Sequence, residues 1–184
     1  MIRKCFTIAS AVMFALLLIG NASAAPRPKA EDPIARLAVK ASPMKADALE
    51  KLYAGRTWKW TSGGGYFSAE TTKVWLLPAS RNKFAAQVRN GTHWSYAEGT
   101  WRATDDGKLC MRASWFSNDY RAGTQAVTCF LHRETNGVIY QKPSIGGKWY
   151  VFRNNPVRKD DEVRKLVSGD RVSTAVARIK ASGR

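Results

Sequence analysis

The stretch that decides the fold is residues 99–132, GTWRATDDGKLCMRASWFSNDYRAGTQAVTCFLH. Apolar and polar side chains alternate on both sides of the Asp-Asp-Gly turn at 105–107, which predicts two strands joined by a hairpin. A loop at 118–123 then leads into a third run of the same kind. Because this loop lies midway between Cys110 and Cys129, we expect the two cysteines to face each other on neighbouring strands. The sequence therefore predicts a disulfide across this hairpin.

The same pattern of alternating runs and turn residues extends over the chain from Arg56 to Arg153. Short runs of alternating residues are separated there by Gly, Asn or Pro, which is typical of antiparallel β-structure. The predicted strands are 56–61, 65–69, 72–77, 83–89, 93–104, 108–115, 125–132, 137–142 and 147–153. Such strands build a closed barrel or a sandwich, so the predicted fold is mainly β. We favour a small, calycin-like antiparallel β-barrel with short flanking helices at both ends, because short turns join successive strands and closure hides the edge strands.

The chain divides into four segments by composition. They are a signal peptide at 1–24, a flexible leader at 25–42, a β-rich domain with an N-terminal helix at 43–155, and a basic helical tail at 156–184. Prolines mixed with charges of both signs in the leader predict no regular structure. Ser42 and Pro43 predict the start of a helix that ends before Gly55. In the tail, Asp160 predicts the N-cap of a helix that ends at Gly169.

The start of the chain has the features of an export signal. Arg3 and Lys4 precede an apolar run at 6–19, and small residues up to Ala24 form a cleavage site. A transmembrane anchor is the alternative, but the apolar run is short and contains polar residues. We expect cleavage after Ala24 and a periplasmic or secreted protein with no transmembrane segment. Cleavage also removes Cys5 and leaves one pair of cysteines, as an oxidising compartment favours.

The chain is strongly basic. Its formal net charge is +16, and removal of Arg3 and Lys4 with the signal leaves +14. A charge of this size favours anionic partners. For an exported protein these are envelope components, namely an anionic glycan, lipopolysaccharide or peptidoglycan, whereas the compartment argues against nucleic acid. A surface charge that only keeps the protein soluble is the alternative.

The chain contains seven tryptophans, a large number for a domain of this size. Trp58, Trp101 and Trp149 each follow closely on a glycine, which is typical of a strand that turns a large ring into the core. Other rings lie beside basic residues, and such combinations bind sugars or anionic ligands. The predicted ligand-binding residues are Trp60, Tyr66, Trp75, Trp94, Tyr96, Arg56, Arg89 and Arg102.

No catalytic motif accompanies these residues. The sequence has neither a nucleophile elbow nor a phosphate-binding loop, and His93 and His132 lack metal-ligand spacing. It therefore predicts no catalytic residue, metal or cofactor, and we expect a non-catalytic, envelope-associated module that binds an anionic glycan. Two other functions stay open. One is a cell-wall or polysaccharide hydrolase that uses Glu98 with a partner acid, and the other is a protein inhibitor that presents the loop at 116–124.

Several short motifs occur in the order found in one known family. They are LYAGRTWKW at 52–60, GGYF at 64–67, YAEGTW at 96–101, GKLC at 107–110, TCF at 128–130, GKWYVF at 147–152 and DDE at 160–162. Through these motifs the chain, over about residues 48–173, resembles the domain of unknown function 995, found in exported proteins of Gram-negative proteobacteria. The resemblance implies a periplasmic or secreted bacterial protein. It brings no reaction, ligand or catalytic residue with it.

Overall fold

The structure is a computed structural model that describes residues 32–72, 81–117 and 123–182. Among these residues the helices are α1 (Pro33–Lys40), α2 (Ala46–Tyr53) and α3 (Ser173–Ser182), with a 3₁₀ helix at Glu162–Lys165. The strands are β1 (Ser42–Pro43), β2 (Arg56–Trp60), β3 (Gly63–Thr72), β4 (Arg81–Asn90), β5 (His93–Ala103), β6 (Lys108–Ser117), β7 (Thr124–Thr135), β8 (Val138–Pro143), β9 (Tyr150–Arg153) and β10 (Leu166–Ser168). The predicted mainly β class with flanking helices is confirmed.

The strands form one antiparallel sheet in the order β10-β2-β3-β4-β5-β6-β7-β8-β9. From β2 to β9 each strand pairs with the next along the chain, which is the meander that short turns favour. The short strand β1 pairs with β7 at Ser42 opposite Glu134, past the end of the pairing between β6 and β7.

The sheet curls around its core into a half-barrel. The ring centroid of Trp58 on β2 lies 5.1 Å from that of Phe130 on β7 and 6.2 Å from that of Phe152 on β9. Strands so far apart in the sheet order share a core only because the sheet bends back on itself. Within the described residues β9 and β10 are not paired with each other, and the 3₁₀ helix contacts both of them.

The core lies on the concave side of the sheet. Phe67, Trp101 and Phe152 are fully buried there, and α2 adds Leu49 and Tyr53 from one side. Burying side chains of this size contributes about 2 kcal/mol each. The amphipathic spacing of α2 and the alternation of the strands thus meet in one packed interior.

Two of the three tryptophans predicted for the core are in it. Trp58 and Trp101 are buried on the concave side. Trp149 instead lies half-buried in a second cluster on the outer side, where α1 packs Ala38 against Tyr140 of β8. The glycine before Trp149 therefore marks a turn, but the ring that follows it does not enter the main core.

The disulfide is where the sequence predicts it. Cys110 on β6 is directly opposite Cys129 on β7, and their sulfur atoms are bonded. The centre of the loop that joins the two strands, at 118–122, lies outside the described residues. The pairing nevertheless follows from the strand register on both sides of that loop.

Two strand predictions need correction. Predicted strands at 65–69 and 72–77 are one strand as far as Thr72, with a register shift between Phe67 and Thr71, and residues 73–80 lie outside the described ones. The strand predicted at 147–153 begins only at Tyr150. Gly147 has a φ of 71°, which is left-handed backbone that a strand does not contain.

The N-terminal helix begins later than Ser42 and Pro43 predict, because these two residues form β1 instead. Helix α2 starts at Ala46, and the N-cap residue Lys45 makes no side-chain capping hydrogen bond. The first backbone N–H, that of Ala46, donates to Oδ1 of Asp105 at 3.1 Å. The turn between β5 and β6 thus supplies a partner for the helix terminus, and local sequence does not show it.

Part of the predicted flexible leader is helical. Asp32 caps α1 by accepting from the N–H of Ile34 at 3.0 Å, and Pro33 occupies the first turn. The helix is held to the sheet because a guanidinium nitrogen of Arg133 on β7 donates to the carbonyl oxygens of Val39 and Ala41, both at 2.9 Å. The remainder of the leader, 25–31, lies outside the described residues.

The tail also differs from its prediction. Asp160 does not cap an α-helix that runs to Gly169. The 3₁₀ helix spans Glu162–Lys165, and the chain then pairs Leu166 with Trp58 as β10. Pairing with the edge of β2 satisfies backbone groups that a short isolated helix would leave exposed.

Candidate functional site

The predicted ligand-binding residues lie on both faces of the sheet. Alternate residues of a strand point to opposite sides, so residues in phase with buried Trp58 or Trp101 point inward and the others outward. Tyr66, Arg89, Trp94, Tyr96 and Arg102 point outward, Arg56 and Trp60 lie on the inward side of β2, and Trp75 lies outside the described residues. Trp60 packs against the core. The structure therefore brings some of these residues together and separates Trp60 and Arg56 from them.

Three rings form an aromatic ladder on the outward face of β5 and β6, made of Trp94, Tyr96 and Phe116. The ring centroids of Trp94 and Tyr96 are 6.1 Å apart with planes 22° apart, and those of Tyr96 and Phe116 are 5.0 Å apart with planes 19° apart. All three side chains are half-buried. Arg89 on β4 is directly opposite Trp94. The ladder thus combines predicted residues with Phe116, which the sequence analysis missed although its place in the alternation of β6 follows from the pairing with Tyr96.

Further along the same face lies a cationic depression, defined by Arg102, Lys108 and Arg112. Its volume is about 320 Å³. Its lining residues all belong to β5, β6 and β7 and are Thr100, Trp101, Arg102, Lys108, Cys110, Arg112, Val127 and Cys129. Arg102 is opposite Cys110 in the register, and Lys108 and Arg112 lie two residues to either side of Cys110. Of the three cations, the sequence predicted only Arg102, because only the strand register shows that Lys108 and Arg112 lie beside it.

The charges in the cationic depression are unequally compensated. The ammonium of Lys108 lies 3.1 Å from Oδ2 of Asp106, and Arg112 donates to the amide oxygen of Gln125 at 3.0 Å. Arg102 has no hydrogen-bond or ion-pair partner within the part of the chain that the structure describes. Hydrogen bonds from Thr104 and then from Lys108 lower the pKa of the Asp106 carboxyl below its usual value, so it is ionised at neutral pH. It therefore balances one of the three cations.

The disulfide forms the floor of the depression. Cys110 and Cys129 both line it, and their bond ties β6 to β7 beneath the basic side chains. Val127 forms one wall and is 59% exposed, an unusual exposure for a valine on a strand. The result is a rigid surface with an apolar wall and cationic rims.

The aromatic ladder and the cationic depression share one surface, which we call the β5–β6 outer face. Thr100 lies four positions after Tyr96 on β5, a distance of about 14 Å in a strand. Between them the Lys180 ammonium of α3 contacts both carboxylate oxygens of Glu98, at 3.0 and 2.9 Å, and lies 6.0 Å from the centre of the Tyr96 ring. The last turn of α3 therefore borders the middle of this surface.

Glu98, the acid considered for a hydrolase, is thus ion-paired. A neighbouring depression of about 440 Å³ is lined by Glu98 with Glu70 and Asp170, among others. Glu70 pairs with Lys83 at 2.9 Å. Asp170 accepts from the N–H groups of residues 172 and 173 at the start of α3. Each of these carboxylates has a partner that accounts for its position.

A buried polar network lies inside the half-barrel, and the sequence analysis did not find it. The Tyr53 hydroxyl lies 2.9 Å from Nε2 of His132 and accepts from the Gln141 amide at 2.8 Å, and Tyr150 donates to Gln141. Burial lowers the pKa of His132 to about 4, partly opposed by the backbone carbonyls of residues 107 and 130. Tyr53, His132 and Gln141 are fully buried, so they hold the interior together and do not face a ligand.

The sequence that builds this geometry matches a known family. A family model described as "Protein of unknown function (DUF995)" matches residues 15–172. The chain belongs to the DUF995 family. Comparison of this DUF995 protein with curated proteins and with solved structures gives no match in either case.

Two further observations bear on its chemistry. Among residues 32–72, 81–117 and 123–182 no three His, Cys, Asp or Glu side chains are grouped so as to hold a metal ion. Over the same residues, every helix is too short or too polar to cross a membrane.

Proposed function

We propose that this DUF995 protein is an exported, non-catalytic, envelope-associated binding module, and that it binds an anionic glycan on the β5–β6 outer face. The observation that carries the proposal is that aromatic rings and uncompensated cations occupy the same face of the same two strands. Neither the ladder nor the depression alone supplies contacts for both the sugar rings and the negative groups of such a polymer.

The two parts of the face supply different interactions. Rings of tryptophan and tyrosine pack against the apolar faces of sugars, and this contact does not depend on salt. The guanidinium groups of Arg89, Arg102 and Arg112 attract negative groups, and added salt screens that attraction over a Debye length of about 8 Å at physiological ionic strength. A glycan with both sugar rings and negative groups uses both parts.

Export is part of the proposal. The disulfide between Cys110 and Cys129 is a type of bond that persists in oxidising compartments such as the bacterial periplasm. The predicted signal peptide at 1–24 agrees with this location. An anionic glycan of the envelope is then the partner that the compartment and the charge favour together.

The experiment is a calorimetric titration of the mature protein with alginate, a carboxylated polysaccharide, and with uncharged dextran, each at two salt concentrations. We expect alginate to bind and dextran not to bind. Trp94→Ala should weaken alginate binding at both salt concentrations, whereas Arg102→Gln should weaken it mainly at low salt. The matched controls are Trp149→Ala and Arg153→Gln, which change a ring and a cation away from this face.

The fold of each variant is checked by its melting temperature, and Trp94→Phe keeps a ring at position 94. If Trp94→Phe binds like the unaltered protein while Trp94→Ala does not, the ring itself contributes. Equal weakening by Arg153→Gln and Arg102→Gln would mean that net charge alone attracts the polymer. Absence of alginate binding at both salt concentrations would overturn the proposed function.

A further inference from the structure

We propose that the cationic depression is a site for the phosphate ester group of a glycan, held between the guanidinium groups of Arg102 and Arg112. This inference rests on the proposed function and names the negative group that the β5–β6 outer face selects.

The strand register places the two arginines at diagonally neighbouring positions of β5 and β6. Arg102 is opposite Cys110, and Arg112 is two residues from Cys110 on the same side of β6. Such diagonal neighbours have backbones about 7–8 Å apart, well within the reach of two arginine side chains. Both forks of N–H donors can therefore contact a single group that sits above the disulfide.

The charge balance favours a group with more than one negative charge. The carboxylate of Asp106 neutralises the charge of Lys108, whereas Gln125 offers Arg112 only a neutral oxygen. Among the described residues the lining of the depression contains no carboxylate. Two cations on diagonally neighbouring positions repel each other, and a bound dianion removes that repulsion.

The number of donors distinguishes a tetrahedral ester from a carboxylate. One guanidinium fork engages both oxygens of a carboxylate, so a second fork finds fewer free acceptor positions there. A phosphate ester has three free oxygens and a charge of about −1.5 to −2, which match two forks and the hydroxyl of Thr100, another residue that lines the depression.

The site is rigid without a ligand, which reduces the entropy lost on binding. The disulfide fixes β6 to β7 below the site. Between β5 and β6 the strands approach closely at Gly99, where an added Cβ would lie 2.0 Å from the carbonyl oxygen of Arg112. Gly99 therefore lets Arg112 take its position next to Arg102. Val127, directly opposite Arg112 and largely exposed, offers an apolar contact for the carbon atoms of the sugar.

The test compares three sugars of the same size that differ in their charged group. Glucose 6-phosphate, glucuronate and glucose are titrated into the mature protein at equal ionic strength, and binding is followed by the NMR signals of the arginine Nε–H groups. We expect glucose 6-phosphate to bind about tenfold more tightly than glucuronate, because a second charged hydrogen-bonded pair forms. Glucose should not shift these signals.

Three variants locate the site. Arg102→Gln and Arg112→Gln should each abolish the preference for glucose 6-phosphate over glucuronate, and Arg153→Gln on β9 should leave the preference unchanged. Glucose 6-sulfate, whose ester is also tetrahedral but carries a single negative charge, should bind more weakly than glucose 6-phosphate, and an equal affinity would contradict the charge argument. Equal affinities for glucose 6-phosphate and glucuronate, or a preference that survives in Arg102→Gln and Arg112→Gln, would overturn the inference.

The outcome also separates this inference from the proposed function. If alginate binds in a Trp94-dependent manner but the phosphate sugar has no advantage, the glycan function stands and the phosphate site does not. If glucose 6-phosphate binds through Arg102 and Arg112 while alginate fails to bind, the phosphate site stands and the broader glycan function fails.

Discussion

At the residue scale, His132 shows how one buried side chain links stability to pH. It lies in the interior with Tyr53 and Gln141, and burial lowers the pKa of its imidazole from 6.5 to about 4. Between these two pH values the unfolded chain binds a proton at this position and the folded protein does not. The folded state is therefore stabilised fully above pH 6.5, and this stabilisation is lost as the pH falls towards 4.

We expect the free energy of unfolding to fall by about 2 kcal/mol between pH 7.5 and pH 5 from this residue alone. Urea unfolding at the two pH values measures it. His132→Gln should be less stable at pH 7.5 but should lose much less stability on acidification. The matched control is His93→Gln, which changes the exposed histidine and should keep the full pH dependence. Equal pH dependence in His132→Gln and the unaltered protein would contradict this account.

At the element scale, the pairing of β6 with β7 supports both the core and the cationic depression. The register places Ala113 and Met111 inward to the core and Cys110 and Arg112 outward to the depression. A slip of one residue would exchange the two sets. The disulfide between Cys110 and Cys129 fixes this register, on which both the core and the cationic depression depend.

We expect the double variant Cys110→Ser with Cys129→Ser to lose about 3 kcal/mol of stability, since the bond closes a loop with a sequence separation of 19 residues. Chemical unfolding gives the value. The double variant avoids a free thiol, and its melting temperature should not respond to reductant, whereas that of the unaltered protein should fall. No effect of reductant on the unaltered, exported protein would mean that the bond is absent there.

At the scale of the whole molecule, net charge and cellular compartment constrain which ligands the β5–β6 outer face can bind. A protein with a net charge of +16 attracts anions wherever it is located, so the compartment decides which anions are available. Export through the predicted signal peptide would make envelope glycans the anions available to the protein.

We expect the mature chain to begin at Ala25 and to be found in the periplasm or the medium. The small residues before Ala25 complete the cleavage site that follows the apolar run. Intact-mass measurement of protein from a periplasmic extract decides the point. A full-length product that starts at Met1 and stays in the membrane fraction would show that the segment acts as an anchor.

The sequence alone predicts what depends on local periodicity. Alternation on either side of the turn at 105–107 predicts the strands, and the position of the following loop predicts that Cys110 faces Cys129. Both are local properties, because a residue's place in a strand and the centre of a hairpin follow from counting along the chain. The mainly β class and the family follow from the same stretches.

Tertiary structure alone decides what depends on strands and loops that are distant along the chain. Trp58 and Trp60 share one face of β2, but the sequence does not show how large the core is, and the curled sheet packs the Trp60 ring against it as well. The helix start at Ala46 uses Asp105, which is 59 residues away. Arg102, Lys108 and Arg112 become neighbours only through the register of β5 and β6. Long-range pairing and burial, which no local pattern contains, select among the alternatives that local propensity leaves open.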